Sequence, residues 1–179
     1  MGVLTFGSAR ADLQLTPKLV HYEFDGVKSE LLAFSDDSKT VTYTPPRGWD
    51  YSGSSMKLIL RPPVKTLAEA SVTKSPLKPA TIFDEETTKL LVAEALHSAP
   101  PGSTNITLTS QETNPFRIAG KDTFLVSFTY TLYGENYARS LLFLNRETDQ
   151  IRFQLVCRAT DFKDLQRQFQ SSLCSWHNL

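Results

Sequence analysis

The feature that most constrains this chain is a run of extended segments joined by short turns, residues 123–132, 137–144 and 151–158. Connections of a few residues join antiparallel neighbours, whereas parallel strands need long crossovers, so the run predicts a β-meander. Within residues 123–132, Phe124, Val126, Phe128, Tyr130 and Leu132 fall on one side, with serine or threonine at several positions opposite. Such alternation predicts a strand covered mainly on one face. The unbroken Leu141-Leu142-Phe143-Leu144 predicts a central strand covered on both. Residues 105–110 alternate Ile106 and Leu108 against polar side chains and predict a further strand.

Two helices bracket the meander. Over residues 84–97, Thr88, Leu91, Val92, Ala95 and Leu96 share one face at helical spacing. Asp84 is placed to cap that helix, Glu85 and Glu86 complement its dipole, and Pro100-Pro101-Gly102 ends it. Residues 161–174 place Phe162, Leu165, Phe169 and Leu173, followed by Trp176, in a second apolar stripe, with Thr160 or Asp161 as cap.

The first part of the chain is less regular. Residues 13–24, interrupted by Pro17, read as an irregular lead-in holding at most a short edge strand. Strands are expected at 30–34, 40–44, 56–60 and 68–73, with breaks at Pro45-Pro46-Arg47-Gly48-Trp49 and at Pro62-Pro63. The resulting organisation is a lead-in over residues 1–24 and a single α+β domain over residues 25–179, its antiparallel sheet lying between helices.

Charge and composition exclude some functions. Lysine plus arginine equals aspartate plus glutamate at 19 each. Such a chain has no overall field to gather nucleic acid, and it holds no basic run to act as a local patch. No stretch approaches the roughly 20 apolar residues of a membrane-spanning helix. Near the start, Ala9 and Ala11 form a small-residue pattern of the A-x-A type. It fits either the remnant of an export signal or a tail with no targeting role, and the first reading points to an extracytoplasmic home. Cys157 falls on the strand side of Ile151, Phe153 and Leu155, so a buried free thiol is expected. A disulfide with Cys174 needs Cα atoms within roughly 7 Å. The last helix, about 20 Å long, carries Cys174 past its partner.

Val41-Thr42-Tyr43-Thr44-Pro45-Pro46-Arg47-Gly48-Trp49, Gly120-Lys121-Asp122-Thr123-Phe124 and Phe169-Gln170-Ser171-Ser172-Leu173 together resemble the PsbP-like superfamily. The first looks like that group's strand running into a proline and then a tryptophan, the second like its entry to the central hairpin, and the third like its closing helix. The resemblance spans residues 40–176. It implies a three-layer α/β/α sandwich; it does not imply one function, since members of the group bind different protein partners, and it carries over no shared catalytic or metal-binding set.

A search for chemistry finds no nucleophile elbow, P-loop or dinucleotide fingerprint. His21, His97 and His177 are far apart, and His97 suits a helix C-terminus. Cys174-Ser175-Trp176-His177 has the spacing of half a zinc site but lacks two further ligands. Asp36-Asp37 and Glu85-Glu86 read as solvated turn and dipole residues, and Asn105-Ile106-Thr107 as a sequon relevant only to a eukaryotic secreted protein. No catalytic residue, cofactor or metal is therefore assigned. The one candidate partner-binding loop holds Arg47, Trp49 and Tyr51, residue types enriched at interfaces; the alternative is that Trp49 plugs the end of the core. The function expected is a non-enzymatic protein-interaction module, monomeric by preference and extracytoplasmic. The alternative is a small-molecule carrier or sensor with an apolar pocket between the sheet and the helix at 84–97.

Overall fold

The computed structural model describes residues 13–63, 67–77 and 82–179. Its strands are β1 (Leu13–Phe24), β2 (Val27–Asp36), β3 (Lys39–Tyr43), β4 (Asp50–Gly53), β5 (Lys57–Arg61) and β6 (Glu69–Pro76), then β7 (Thr104–Thr113), β8 (Thr123–Leu132), β9 (Glu135–Asn145) and β10 (Asp149–Arg158). Helix α1 (Glu85–His97) lies between β6 and β7, and α2 (Phe162–Leu173) follows β10. Strands β1, β2 and β3 form a small sheet in that order. The other seven form a sheet ordered β4-β5-β6-β10-β9-β8-β7, and every pairing is antiparallel.

The predicted meander is the β8-β9-β10 portion of the large sheet. Tyr133 and Gly134, both at positive φ, turn β8 into β9. A two-residue turn of that backbone class matches the right-handed twist of the strands it joins. Along β8, Phe124, Val126, Phe128 and Tyr130 belong to one apolar cluster with Leu91 and Ala95 of α1. Leu125 belongs to the other, which holds Leu165, Phe169 and Leu173 of α2. Strand β9 divides in the same way, Leu141 and Phe143 against Leu142 and Leu144. Period-2 alternation thus divides the side chains of these strands between the cluster of α1 and the cluster of α2.

Strand β8 departs from the expectation of one covered face. Its first six residues are all buried, the polar Thr123 and Ser127 included. Serine and threonine are small enough to sit inside when a backbone acceptor is near, and the Thr123 hydroxyl donates to the Phe116 carbonyl.

Residues 13–24 also differ: they form the twelve-residue strand β1 rather than an irregular lead-in. Its register against β2 shifts between Gln14 and Lys18, so Pro17 falls in a bulge on an edge strand, where a missing N–H breaks no ladder. Asp25 and Gly26, both at positive φ, close the β1–β2 hairpin. That Asp-Gly pair was the available signal. Residues 1–12, with Ala9 and Ala11, lie outside the described residues.

Both ends of the described chain meet on the α2 side. Trp176 stacks on Tyr43 at 4.7 Å and on Phe34 at 5.3 Å between centroids, with Phe153 edge-on at 5.7 Å. His177 exchanges backbone hydrogen bonds with Thr42, adding a bridge to β3. The Tyr43 hydroxyl meets Ser172 Oγ at 2.8 Å, and burial holds its pKa far above the ordinary phenol value. Arg146, buried in the β9–β10 turn, lies 3.1 Å from Asp36 of β2 and 3.2 Å from Asp149, so a buried ionic group joins the two sheets. Cys157 is buried, Cys174 is exposed, and no disulfide joins them.

Candidate interaction surface

The segment after β3 begins with a turn in which the Trp49 N–H donates to the Pro46 carbonyl, with Gly48 at φ +78°. Proline ahead of the turn and glycine in its third position suit a backbone that other residues adopt at a cost. The turn leaves Arg47 exposed and sends Trp49 inward, where its side chain is 5% accessible. The Trp49 ring stacks on Phe169 of α2 at 6.3 Å, and Nε1 donates to Gln168 Oε1 at 3.2 Å. Its indole is an anchor in the core, so of the three candidate side chains only those of Arg47 and Tyr51 are offered to solvent.

Tyr51 is not in a loop. It sits in β4, the short edge strand of the large sheet, opposite Leu60 of β5. Sequence reasoning missed this strand because four residues between a turn and Gly53-Ser54-Ser55 carry too little pattern to register. Gly53 ends β4 where β1 crosses. A Cβ on Gly53 would lie 2.7 Å from the Leu15 carbonyl oxygen and 2.7 Å from Pro17 Cδ, so no larger residue fits without backbone movement. The Leu15 N–H donates to the Ser55 carbonyl at the same crossing. The small sheet is thereby stitched to the β4–β5 hairpin.

Exposed apolar side chains lie on both elements. Tyr51 and Met56 belong to the hairpin segment; along β1 beyond Pro17, Val20 and Tyr22 share one face and Leu19 lies on the other. Met56 and Tyr22 are each about half exposed, at 52% and 49%. Lys18, His21 and Glu23 are exposed among them, His21 lying 3.3 Å from Glu30. Only the composition of β1 hinted at this surface, because pairing decides which strand residues face water.

Other candidates resolve structurally. His97 lies in the last turn of α1 with its ring Nδ1 3.3 Å from the Ala93 carbonyl. Asp84 caps α1 by accepting from the Thr87 N–H at 2.8 Å, and that bond holds its carboxyl below the usual carboxylate range. Among the described residues no three His, Cys, Asp or Glu side chains converge as a metal site. Trp176, between Cys174 and His177, is fully buried. Beneath α1, Phe83, Phe124 and Phe143 stack in series at 5.9 and 6.5 Å, and the Arg139 guanidinium lies over the rings of Phe128 and Tyr130. Burial raises the Tyr130 hydroxyl above its ordinary value, and Arg139 partly opposes this. No described helix is long and apolar enough to cross a membrane.

No family model matches the sequence, and no curated protein sequence does either. Solved structures do match. The chain is similar to PsbP of the cyanobacterium Synechocystis sp. at 12% identity and a TM-score of 0.56, covering 82% of this chain and 91% of that one. It is also similar to LpqN of Mycobacterium tuberculosis, a protein involved in cell envelope biogenesis, at 11% identity and a TM-score of 0.57, covering 92% and 90%. At such identities the likeness is one of backbone arrangement, and on that ground the chain has a PsbP-like α+β fold.

Proposed function

We propose that this protein is a non-enzymatic interaction module that docks another protein on the corner formed by the β4–β5 hairpin and the outer part of β1. The observation that carries this reading is that Tyr51 and Met56, and Val20 and Tyr22 along β1, are exposed on two elements stitched together at Gly53, with Arg47 exposed in the turn that precedes β4. Exposed apolar and aromatic groups rimmed by charge suit a protein interface better than a soluble ligand, because they supply area to desolvate rather than a cavity. Trp49 acts in this reading as the anchor that holds the Arg47 turn rigid, which lowers the cost of ordering it on binding.

The site of action we propose is extracytoplasmic. Support comes from the small-residue pattern at Ala9 and Ala11 and from the envelope role of the structurally similar LpqN. The same reading takes the fold as three layers: α1, the large sheet, and a mixed layer of α2 with the small sheet. What supports it is that the two helices bury their side chains in separate clusters.

A photo-crosslinking residue installed at Met56 tests the surface, with the same residue at the exposed Leu90 of α1 as control. The expected result is one protein captured from the envelope fraction at position 56 and not at 90. Titrated against that purified partner, Tyr51→Ala should weaken binding about tenfold or more, as loss of an interface aromatic does. Equal capture at both positions, or unchanged affinity in Tyr51→Ala, would remove this surface from consideration.

A further inference from the structure

Going beyond that reading, we infer that the cleft at the head of α1 is a binding site for a small organic anion with an apolar tail. The cleft, about 550 Å³, opens between Ile82 and Phe83, which lead into α1, and the hairpin that carries Arg117 and Lys121. Its volume falls within the range of small-molecule sites, roughly 300–1,000 Å³.

Its chemistry is donor-rich. Asn114 is held by a reciprocal pair: its N–H donates to the Thr123 carbonyl at 2.7 Å, and its Oδ1 accepts from the Thr123 N–H at 2.9 Å. Asn145 accepts from Gln150 Nε2 through its own Oδ1, also at 2.9 Å. Both residues line the cleft with one acceptor position of the amide oxygen already filled, and the Asn114 NH₂ is the donor proposed for a ligand.

The charges agree. Arg117 Nε pairs with Asp122 at 3.0 Å, which neutralises one cation and leaves Lys121 as the excess positive group of the lining. Net positive charge with surplus donors selects a carboxylate or phosphate head. The other wall is apolar. Phe83 stacks on Phe124 and so is fixed to the sheet, and Ile82 beside it is largely exposed. A short alkyl or aromatic body laid on these two side chains places its head beside Lys121 and Asn114. The backbone of the cleft is preorganised by the tight turn at Ala119 and Gly120, both at positive φ, which pairs Ile118 with Lys121.

The experiment is an NMR titration of the whole protein with octanoate, octan-1-ol and inorganic phosphate. Octanoate should shift the amide signals of Asn114, Lys121 and Asn145, including the side-chain NH₂ of Asn114, and should bind more tightly than either other probe. Lys121→Glu, whose side chain lies outside the core, should weaken octanoate about tenfold, the loss of one charge-assisted contact. Its spectrum elsewhere should be unchanged, and Tyr51→Ala should bind octanoate as the parent does, which separates this site from the proposed interaction corner. Octanol binding as tightly as octanoate would overturn the anionic head. Phosphate binding as tightly would overturn the apolar wall, and absence of shifts at these residues, or no effect of Lys121→Glu, would overturn the site.

Discussion

The two apolar clusters of the core are built in different ways. One joins α1 to β8 and β9 and comes from residues 83–156. The other is assembled from both ends of the described chain: Leu13 and Leu15 of β1, Tyr43 of β3, α2, and Trp176 and Leu179 beyond it. A single amphipathic helix can close the first because its stripe meets strands already joined by local hairpins. The second is closed only when segments more than a hundred residues apart meet. Its stability should accordingly concentrate in a few side chains that touch several elements at once, with Trp176 foremost.

Trp176→Ala should break this comparison most severely. The ring contacts Phe34, Tyr43 and Phe153, from β2, β3 and β10, and truncation should cost about 4 kcal/mol. Leu91→Ala, in the α1 cluster, should cost about 2–3 kcal/mol, since its cavity opens under one helix edge and can partly collapse. Urea denaturation of both variants tests the ranking, and equal losses would mean that the two clusters are closed equally well.

Gly53→Ala probes the seam between the small sheet and the hairpin. The added methyl meets backbone at 2.7 Å, so a loss of about 2 kcal/mol is expected, with hydrogen exchange rising at Leu15 as its bond to Ser55 loosens. A stable variant with Leu15 still protected would show the seam to be compliant.

The smallest effect belongs to the cap of α1. The folded carboxyl of Asp84 titrates below its unfolded value. Its contribution is therefore complete above the ordinary aspartate pKa of about 3.9, and it is lost as pH falls through the lower folded value. Asp84→Asn, which keeps an oxygen acceptor for the Thr87 N–H, should flatten that acid-side dependence while leaving the neutral-pH melting midpoint nearly unchanged. A parent and variant with parallel acid profiles would contradict the assignment.

Much of the fold was legible along the chain. Strand β8 falls on residues 123–132 as expected, and α1 begins at the residue after the expected cap. These elements have strong local periodicity and turn chemistry. Strands β1 and β4 were not read, because Pro17 masks an edge bulge and β4 is too short to show a period. At the candidate site, residue type marked Arg47, Trp49 and Tyr51 as a group, whereas the structure separates them: Trp49 turns into the core, and the other two remain at the surface.

By itself, then, the sequence determined the meander and both helices, consequences of spacing between near neighbours in the chain, and the neutral charge, which follows from composition. Tertiary structure alone decided that β1 crosses Gly53, that Trp176 packs between Phe34, Tyr43 and Phe153, and that Asn114 pairs with Thr123 at the cleft. The physical reason is that burial and hydrogen-bond satisfaction depend on which distant segment arrives at a residue, and local periodicity carries no record of that arrival.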